Sequence, residues 1–400
     1  MEKWISALGL VCFVLLAWLI SYDRKKVDLK LVLSGVALQI IFGMLALWTD
    51  VGQWFFATAR DFVSNIISFS DTGAEFIFGS DFRDHFFAFS VLPTIIFVSS
   101  IMSCLFYLGL IQKVVSAMAW VMIRFMKVSG AEALAASANV FVGQTEAPLV
   151  VKPYIETMSR SELMAMMTGG MATVAGGVMA AYASFGADPG HLLAASIMSA
   201  PASLVLAKII LPETTEPVTR GKVKINLEIQ DENILDAACR GATEGLKLAL
   251  NVAAMLIAFI ALAALVNYFF AFLPQVSGQK LSMERVLGWV FSPMAWLMGV
   301  PSQDVQSIGA LLGKKTVLNE FVAFVDLTAI KDSLSPRAFT IATYALCGFA
   351  NFSSIAIQIG GIGSLVPKRR KDLAQLSFKA MIAGTLAAFM TACIAGMLLD

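Results

Sequence analysis

The chain has 400 residues, of which 58% are apolar and only 14% charged, with a mean hydropathy of +0.78. A water-soluble chain of this length carries charge on about a quarter of its residues, so much of this one must face lipid. The net charge of +1 offers no field to recruit nucleic acid, and the five cysteines (Cys12, Cys104, Cys239, Cys347, Cys393) lie singly, without the paired spacing of a zinc site or disulfide framework. They read as small packing residues.

Crossing ~30 Å of hydrocarbon takes about 20 mostly apolar residues. Segments 4–20, 31–48, 86–111, 163–185, 192–211, 248–273, 339–365 and 376–399 qualify, which predicts an all-α polytopic membrane protein with about eight transmembrane helices. The first segment has its positive charges behind it and ends at no small-residue cleavage site, so it is expected to stay as a span rather than leave as a signal peptide. Asp23-Arg24-Lys25-Lys26 follows the first span and Lys368-Arg369-Arg370-Lys371 precedes the last. Short basic loops stay in the cytoplasm, which puts both termini outside. Residues 50–71, with Trp54, Phe55, Phe56, Phe62 and Ile66 among polar neighbours, have a helical period and predict a helix lying at the interface. The polar stretch 212–236, containing Pro217, divides the chain nearly in half and reads as a connector.

Each half repeats one pattern. An interrupted apolar hairpin carries a single acid, and about 30 residues later a long span is broken by small and polar residues, as in inverted-repeat transporters. The first half has NVFVGQTEAP (139–148) and then GGMATVAGG (169–177); the second has TVLNEFVAF (316–324) and then CGFANFSS (347–354). Irregular backbone at membrane depth is tolerated only where it is buried in protein or lines a wet cavity, because unsatisfied amides and carbonyls in hydrocarbon each cost several kcal/mol. An intramembrane acid is expensive for the same reason, which makes Glu146 and Glu320 candidates for function. The plain alternative is that each caps a helix or pairs with a lysine such as Lys152 or Lys315.

The boundaries that follow are 1–127 for the N-terminal spans and interfacial helix, mainly scaffold; 128–211 for the first re-entrant hairpin and broken helix; and 212–236 for the connector. A scaffold span and interfacial segment occupy 237–302, the second re-entrant hairpin and broken helix 303–365, and the last span 366–400. His85 and His191 fall near span ends and read as interfacial or hydrogen-bonded. Asp81, Arg83 and Asp84 read as a solvated loop cluster, and the 20 methionines as ordinary lipid-packed residues.

The runs VGQTEAPLVVKP (142–153), NEFVA (319–323) and CGFANFSSI (347–355) resemble the signatures of the concentrative nucleoside transporters, and the likeness extends along essentially the whole chain. The resemblance implies a homotrimer in the bacterial inner membrane. Each protomer would hold a scaffold and a transport domain that moves as an elevator, carrying nucleosides with a coupling ion and no organic cofactor. It further implies that Gly143, Gln144, Thr145, Glu146 and Val178 meet the base, that Glu320, Asn351 and Ser354 hold the ribose, and that Phe349 lies beside the base. For sodium it implies the Asn139 side chain, the Val142 and Val174 carbonyls, and Thr173 where the family usually has serine. A proton-coupled nucleoside carrier or a nucleobase carrier of the same fold is the alternative. An intramembrane enzyme using Glu146 and Glu320 is the third reading, disfavoured because no histidine cluster, metal-ligand run or serine nucleophile accompanies the acids.

Overall fold

The structure, a computed structural model, describes residues 1–85, 87–221, 231–275 and 280–399. Phe86, the predicted start of the third span, lies outside them, as do the middle of the connector, part of the 237–302 segment, Asp400 and the side chain of His85.

Every regular element among the described residues is helical. In chain order, α1 (Glu2–Leu19) and α2 (Leu29–Trp48) form a hairpin of spans, and α3 (Asp50–Phe78) follows directly, capped by the Thr49 side chain. The interfacial helix predicted over 50–71 thus runs two turns further, to the positive-φ Gly79 that ends it. Arg83, expected to be merely solvated, pairs with Asp71 on this extension at 2.8 Å. Next come α4 (Leu92–Tyr107) and α5 (Leu110–Met126).

The first hairpin consists of α6 (Gly130–Ala138), an irregular tip, and the short helices α7 (Ala147–Val150) and α8 (Lys152–Ile155). The predicted 163–185 span is two half-helices, α9 (Arg160–Ala172) and α10 (Gly176–Phe185), followed by α11 (Pro189–Ile210). In the second half α12 (Ile234–Phe270) and α13 (Met283–Leu297) precede the second hairpin, α14 (Val305–Val317) and α15 (Glu320–Ala329). The 339–365 span is likewise two half-helices, α16 (Pro336–Leu346) and α17 (Phe352–Leu365), and α18 (Arg370–Leu398) closes the chain. Sequence reading did not separate α5, α13 and α14 as helices; α5 and α13 are amphipathic, and a hairpin arm such as α14 is shorter than a span.

Burial sorts the spans into two sets. The most apolar stretches of α9–α10, α11 and α18 are 83%, 89% and 83% buried, against 28%, 33%, 28% and 11% for α1, α2, α4 and α12. The first set, with both hairpins, forms the core; the second leaves most of its apolar side chains half-buried or exposed. Hydropathy is blind to this division, since α12 has the highest value of all and the least burial.

The ends of α6 and α9 show how the core is tied at one face. Both begin with Ser-x-x-Glu capping boxes, Ser129 with Glu132 and Ser159 with Glu162. Ser129 Oγ donates to Glu162 at 2.6 Å, and buried Lys208 of α11 reaches Glu132 at 2.7 Å and Glu213 at 3.3 Å. Burial raises the Glu213 carboxyl, but Lys208 and hydrogen bonds from Ser159 and Thr215 outweigh it and hold the group below the usual carboxylate range. Lys208→Met leaves Glu132 buried without its counter-charge. Removing one partner of such a pair costs about 3–5 kcal/mol, so thermal unfolding of the detergent-solubilised protein is expected at a clearly lower temperature. An unchanged midpoint would show that this joint does not hold the hairpin.

Candidate functional site

The two broken helices cross at their breaks. Gly348, at φ +150°, lies directly on the last turn of α9, where an added Cβ would stand 2.9 Å from the carbonyl oxygens of Met171 and Ala172. Phe349 N–H donates to the Thr173 carbonyl at 3.2 Å, so one break satisfies the other's backbone. Gly348→Ala must therefore shift two backbones and is expected to reduce transport per folded molecule more than tenfold, a loss in the range of ~1–3 kcal/mol of local strain. Uptake measured at matched protein amounts checks this, and wild-type rates would mean that the breaks are not packed this way.

Around this crossing the hairpins bring their polar side chains. The first tip folds on itself, with Gly143 N–H donating to Glu146 Oε2 at 2.7 Å and Gly176 N–H to the Phe141 carbonyl at 3.1 Å. Gln144, buried, donates from Nε2 to Ser354 Oγ at 3.0 Å, which joins the first hairpin to the second broken helix. Thr145 packs over Gly361 of α17. Glu146 remains exposed, and Lys152 is not its partner among the described ion pairs. Val178 is buried in the apolar core, and Phe349 is half-buried against it.

On the opposite side Glu320 begins α15 behind the Asn319 cap, whose side chain accepts from Val322 N–H. Glu320 Oε2 accepts from Asn351 Nδ2 at 2.7 Å, and Oε1 accepts from the Tyr182 hydroxyl at 3.1 Å. Asn351 in turn caps α17, its Oδ1 accepting from Ser354 N–H at 2.8 Å and Ser353 Oγ at 2.7 Å. The carboxylate thus touches both broken helices while belonging to a hairpin.

The residues nominated for an ion lie together at the end of α9. Asn139 Nδ2 donates to the Ala135 carbonyl at 2.9 Å, and an added Cβ on Gly169 would stand 3.2 Å from that nitrogen. Thr173 Oγ1 donates to the Gly169 carbonyl at 3.0 Å. Asn139 Oδ1 is buried with no hydrogen-bond donor. Val142 is half-buried at the hairpin tip and Val174 is fully buried within the break.

Two polar residues of this site escaped the sequence reading. Tyr182 stacks on Phe324 with centroids 4.1 Å apart and carries the hydroxyl on Glu320. Gln358 is fully buried and donates from Nε2 to Gln144 Oε1 at 3.1 Å and to the Met167 carbonyl at 3.0 Å. Each had a signal, because Tyr182 follows Val178 and Gln358 follows Ser354 by four residues, one helical turn along the same face. His191, at the start of α11, sits 3.1 Å through Nδ1 from the Tyr344 hydroxyl, as expected of a hydrogen-bonded histidine.

Two broken helices crossing inside a buried bundle, each faced by a hairpin whose tip carries one acid, Glu146 or Glu320, form the inverted-repeat arrangement seen in membrane transporters. Family profiles match nearly the whole chain: Na+ dependent nucleoside transporter N-terminus over residues 8–81, nucleoside recognition over 88–189, and Na+ dependent nucleoside transporter C-terminus over 191–396. The chain belongs to the Na+ dependent nucleoside transporter family. It is 43% identical over 416 residues to solute carrier family 28 member 3 of Rattus norvegicus, covering 100% of this chain and 59% of that protein. The chain therefore spans about 59% of the length of that relative. An uncharacterized transporter of Haemophilus influenzae is 43% identical over 407 residues, 98% of this chain and 97% of its own length. Among solved structures, CNTnw in an inward-facing substrate-bound state superposes with a TM-score of 0.93 at 39% identity, over 100% of this chain and 98% of that one. These relatives are named as carriers and transporters, not as enzymes.

Proposed function

We propose that this protein is a secondary active symporter that takes up nucleosides of the uridine type, driven by inward sodium flow. The observation that carries the proposal is the meeting of Gln144, Ser354, Glu320, Asn351 and Tyr182 from both hairpins and both broken helices in one hydrogen-bonded group. A carboxylate accepts at about four lone-pair positions, and the two side-chain donors on Glu320 leave capacity for the vicinal hydroxyls of a ribose. Gln144, Thr145 and Glu146, with Gly143 at the tip, supply the mixed donors and acceptors a base edge requires, while Val178 and Phe349 supply apolar faces. Asn351 and Ser354 hold the sugar from α17.

The ion reading rests on Asn139. A buried carboxamide oxygen that no donor faces suits a hard cation, and the nearby Thr173 hydroxyl and the Val142 and Val174 carbonyls are oxygens of the right kind. Transport then proceeds with 128–211 and 303–365 moving as an elevator against a scaffold of 1–127 and 237–302, with 212–236 as connector and 366–400 as the last span. The protein works as a homotrimer in a bacterial inner membrane, both termini outside. The likeness to CNTnw and the contrast between buried and less buried spans support this division.

Competition for uridine uptake tests the cargo. Nucleosides lacking a ribose hydroxyl should compete more weakly, by ~1–3 kcal/mol per lost charge-assisted bond, and free uracil more weakly still. Equal competition by uracil would turn the assignment to a nucleobase carrier.

A further inference from the structure

Lys315 is the most deeply placed charge near the site that the proposed chemistry leaves unused. It is 1% exposed, and its Nζ donates to the Ala345 carbonyl at 2.9 Å; among the described residues no carboxylate lies within ion-pair distance of it. The preceding residue behaves differently. Lys314 turns to Asp326 at 2.5 Å and Glu284 at 3.4 Å. The arm α14 thus sends one lysine to carboxylates and the next to a bare backbone oxygen. Ala345 lies in the last turn of α16, where the carbonyls lack intrahelical partners and form the negative end of the half-helix dipole. Glu320 stands five residues later, at the start of α15 on the other side of the hairpin tip, and takes its hydrogen bonds from Tyr182 and Asn351.

A buried ammonium costs several kcal/mol, so one held by a single carbonyl needs the helix end and a nearby anion to offset that cost. The other repeat shows what stands there otherwise. At the end of arm α6, against the last turn of α9, no lysine or arginine among the described residues makes a bond. Asn139 offers its donor-free Oδ1 instead, beside Thr173 and Gly169. Both places are the same joint of the repeat: a hairpin arm meeting the C-terminal turn of a broken helix's first half.

We propose that Lys315 is a tethered cation that does for the second broken helix what sodium does for the first. It neutralises the end of α16 and supplies a fixed counter-charge to Glu320, so that the second repeat requires no free ion. This deepens the sodium-symport reading and rests on it. Lys315 touches no cargo and acts as a positioning residue.

The consequence is countable. Uridine is uncharged, so the charge moved per uridine counts the ions carried, and reversal potentials in proteoliposomes should give about one for the wild type. A value of two or more overturns the proposal without any variant being made. In Lys315→Ala the tether is removed and room is left. The sodium dependence should steepen from a Hill coefficient of about one to about two, with one more charge per uridine, and uridine affinity should fall about tenfold at low sodium and recover at high sodium. Lys315→Met keeps the methylenes and leaves no room. Its uridine affinity should fall about tenfold at every sodium concentration, with the sodium order unchanged. Folded variants that bind uridine as the wild type does would overturn the tethered cation and leave the symporter standing. So would Lys315→Ala weakened with its sodium order still about one. Wild-type protein binding uridine equally in sodium and choline would overturn the sodium reading itself, and this proposal with it.

Discussion

Replacing Glu320 by Gln is expected to remove nearly all uridine uptake from a chain that still folds. Each oxygen of the carboxylate accepts from a different partner, Oε2 from Asn351 and Oε1 from the Tyr182 hydroxyl. An amide supplies one acceptor and one donor, so either its NH2 meets the NH2 of Asn351, or the Tyr182 hydroxyl must turn to accept and its own proton loses the acceptor it had. Leaving a buried donor unsatisfied costs about 1–3 kcal/mol, and the same amide would meet the ribose hydroxyls with the wrong polarity. Tyr182→Phe provides the graded comparison. It deletes one donor, keeps the ring stacked on Phe324, and should weaken uptake by less than Glu320→Gln does. Near-normal uptake by Glu320→Gln, reconstituted at equal amounts, would remove this carboxylate from the site.

The second large effect is expected at the ion. If Asn139 Oδ1 and Thr173 Oγ1 ligate one sodium, that ion sits beneath the hairpin that carries Gln144 and Glu146, and ion and cargo should strengthen each other. Linkage is reciprocal, so sodium should tighten uridine binding by the same factor as uridine tightens sodium binding, typically ~5–150-fold. Asn139→Leu removes a ligand and sets an apolar group against the ion, so calorimetry should find uridine affinity in sodium falling to its value in choline. Thr173→Val keeps the shape without the hydroxyl and should raise the sodium needed for half-maximal uptake, whereas Thr173→Ser should keep the coupling. A sodium dependence untouched by Asn139→Leu would move the ion site elsewhere.

How much of this was legible in the sequence depends on what each signal encodes. Hydropathy located seven of the eight predicted spans as helical stretches long and apolar enough to cross a bilayer among the described residues; the eighth, 339–365, has only the shorter apolar helix Phe352–Leu365. Five of the eight fall on single helices, 86–111 runs over α4 and past Gly109 into the start of α5, and the other two are the half-helix pairs α9–α10 and α16–α17. The breaks were visible in Gly169–Gly177 and 347–351 because small and polar residues at membrane depth have few other uses. Hydropathy gave no hint of α14, whose 13 residues are too short for a span, and it ranked α12 above the core helices that are far more buried. Long-range pairing was beyond it altogether. Gln358 meets Gln144 across 214 positions, and Lys208 meets Glu132 and Glu213 where the connector passes the ends of α6 and α9. The alternative that Lys315 simply pairs with Glu320 also needed coordinates to decide. The carboxylate takes its hydrogen bonds from Tyr182 and Asn351, and the lysine gives its own to a backbone carbonyl.

The central claim is coupled uptake, and proteoliposomes containing only the purified chain test it most directly. With radiolabelled uridine outside, an inward sodium gradient should drive accumulation above the equilibrium level, and collapsing that gradient should release the excess. Potassium or choline in place of sodium should give only equilibration. Accumulation under an inward proton gradient with sodium absent, and none under sodium, would contradict the account.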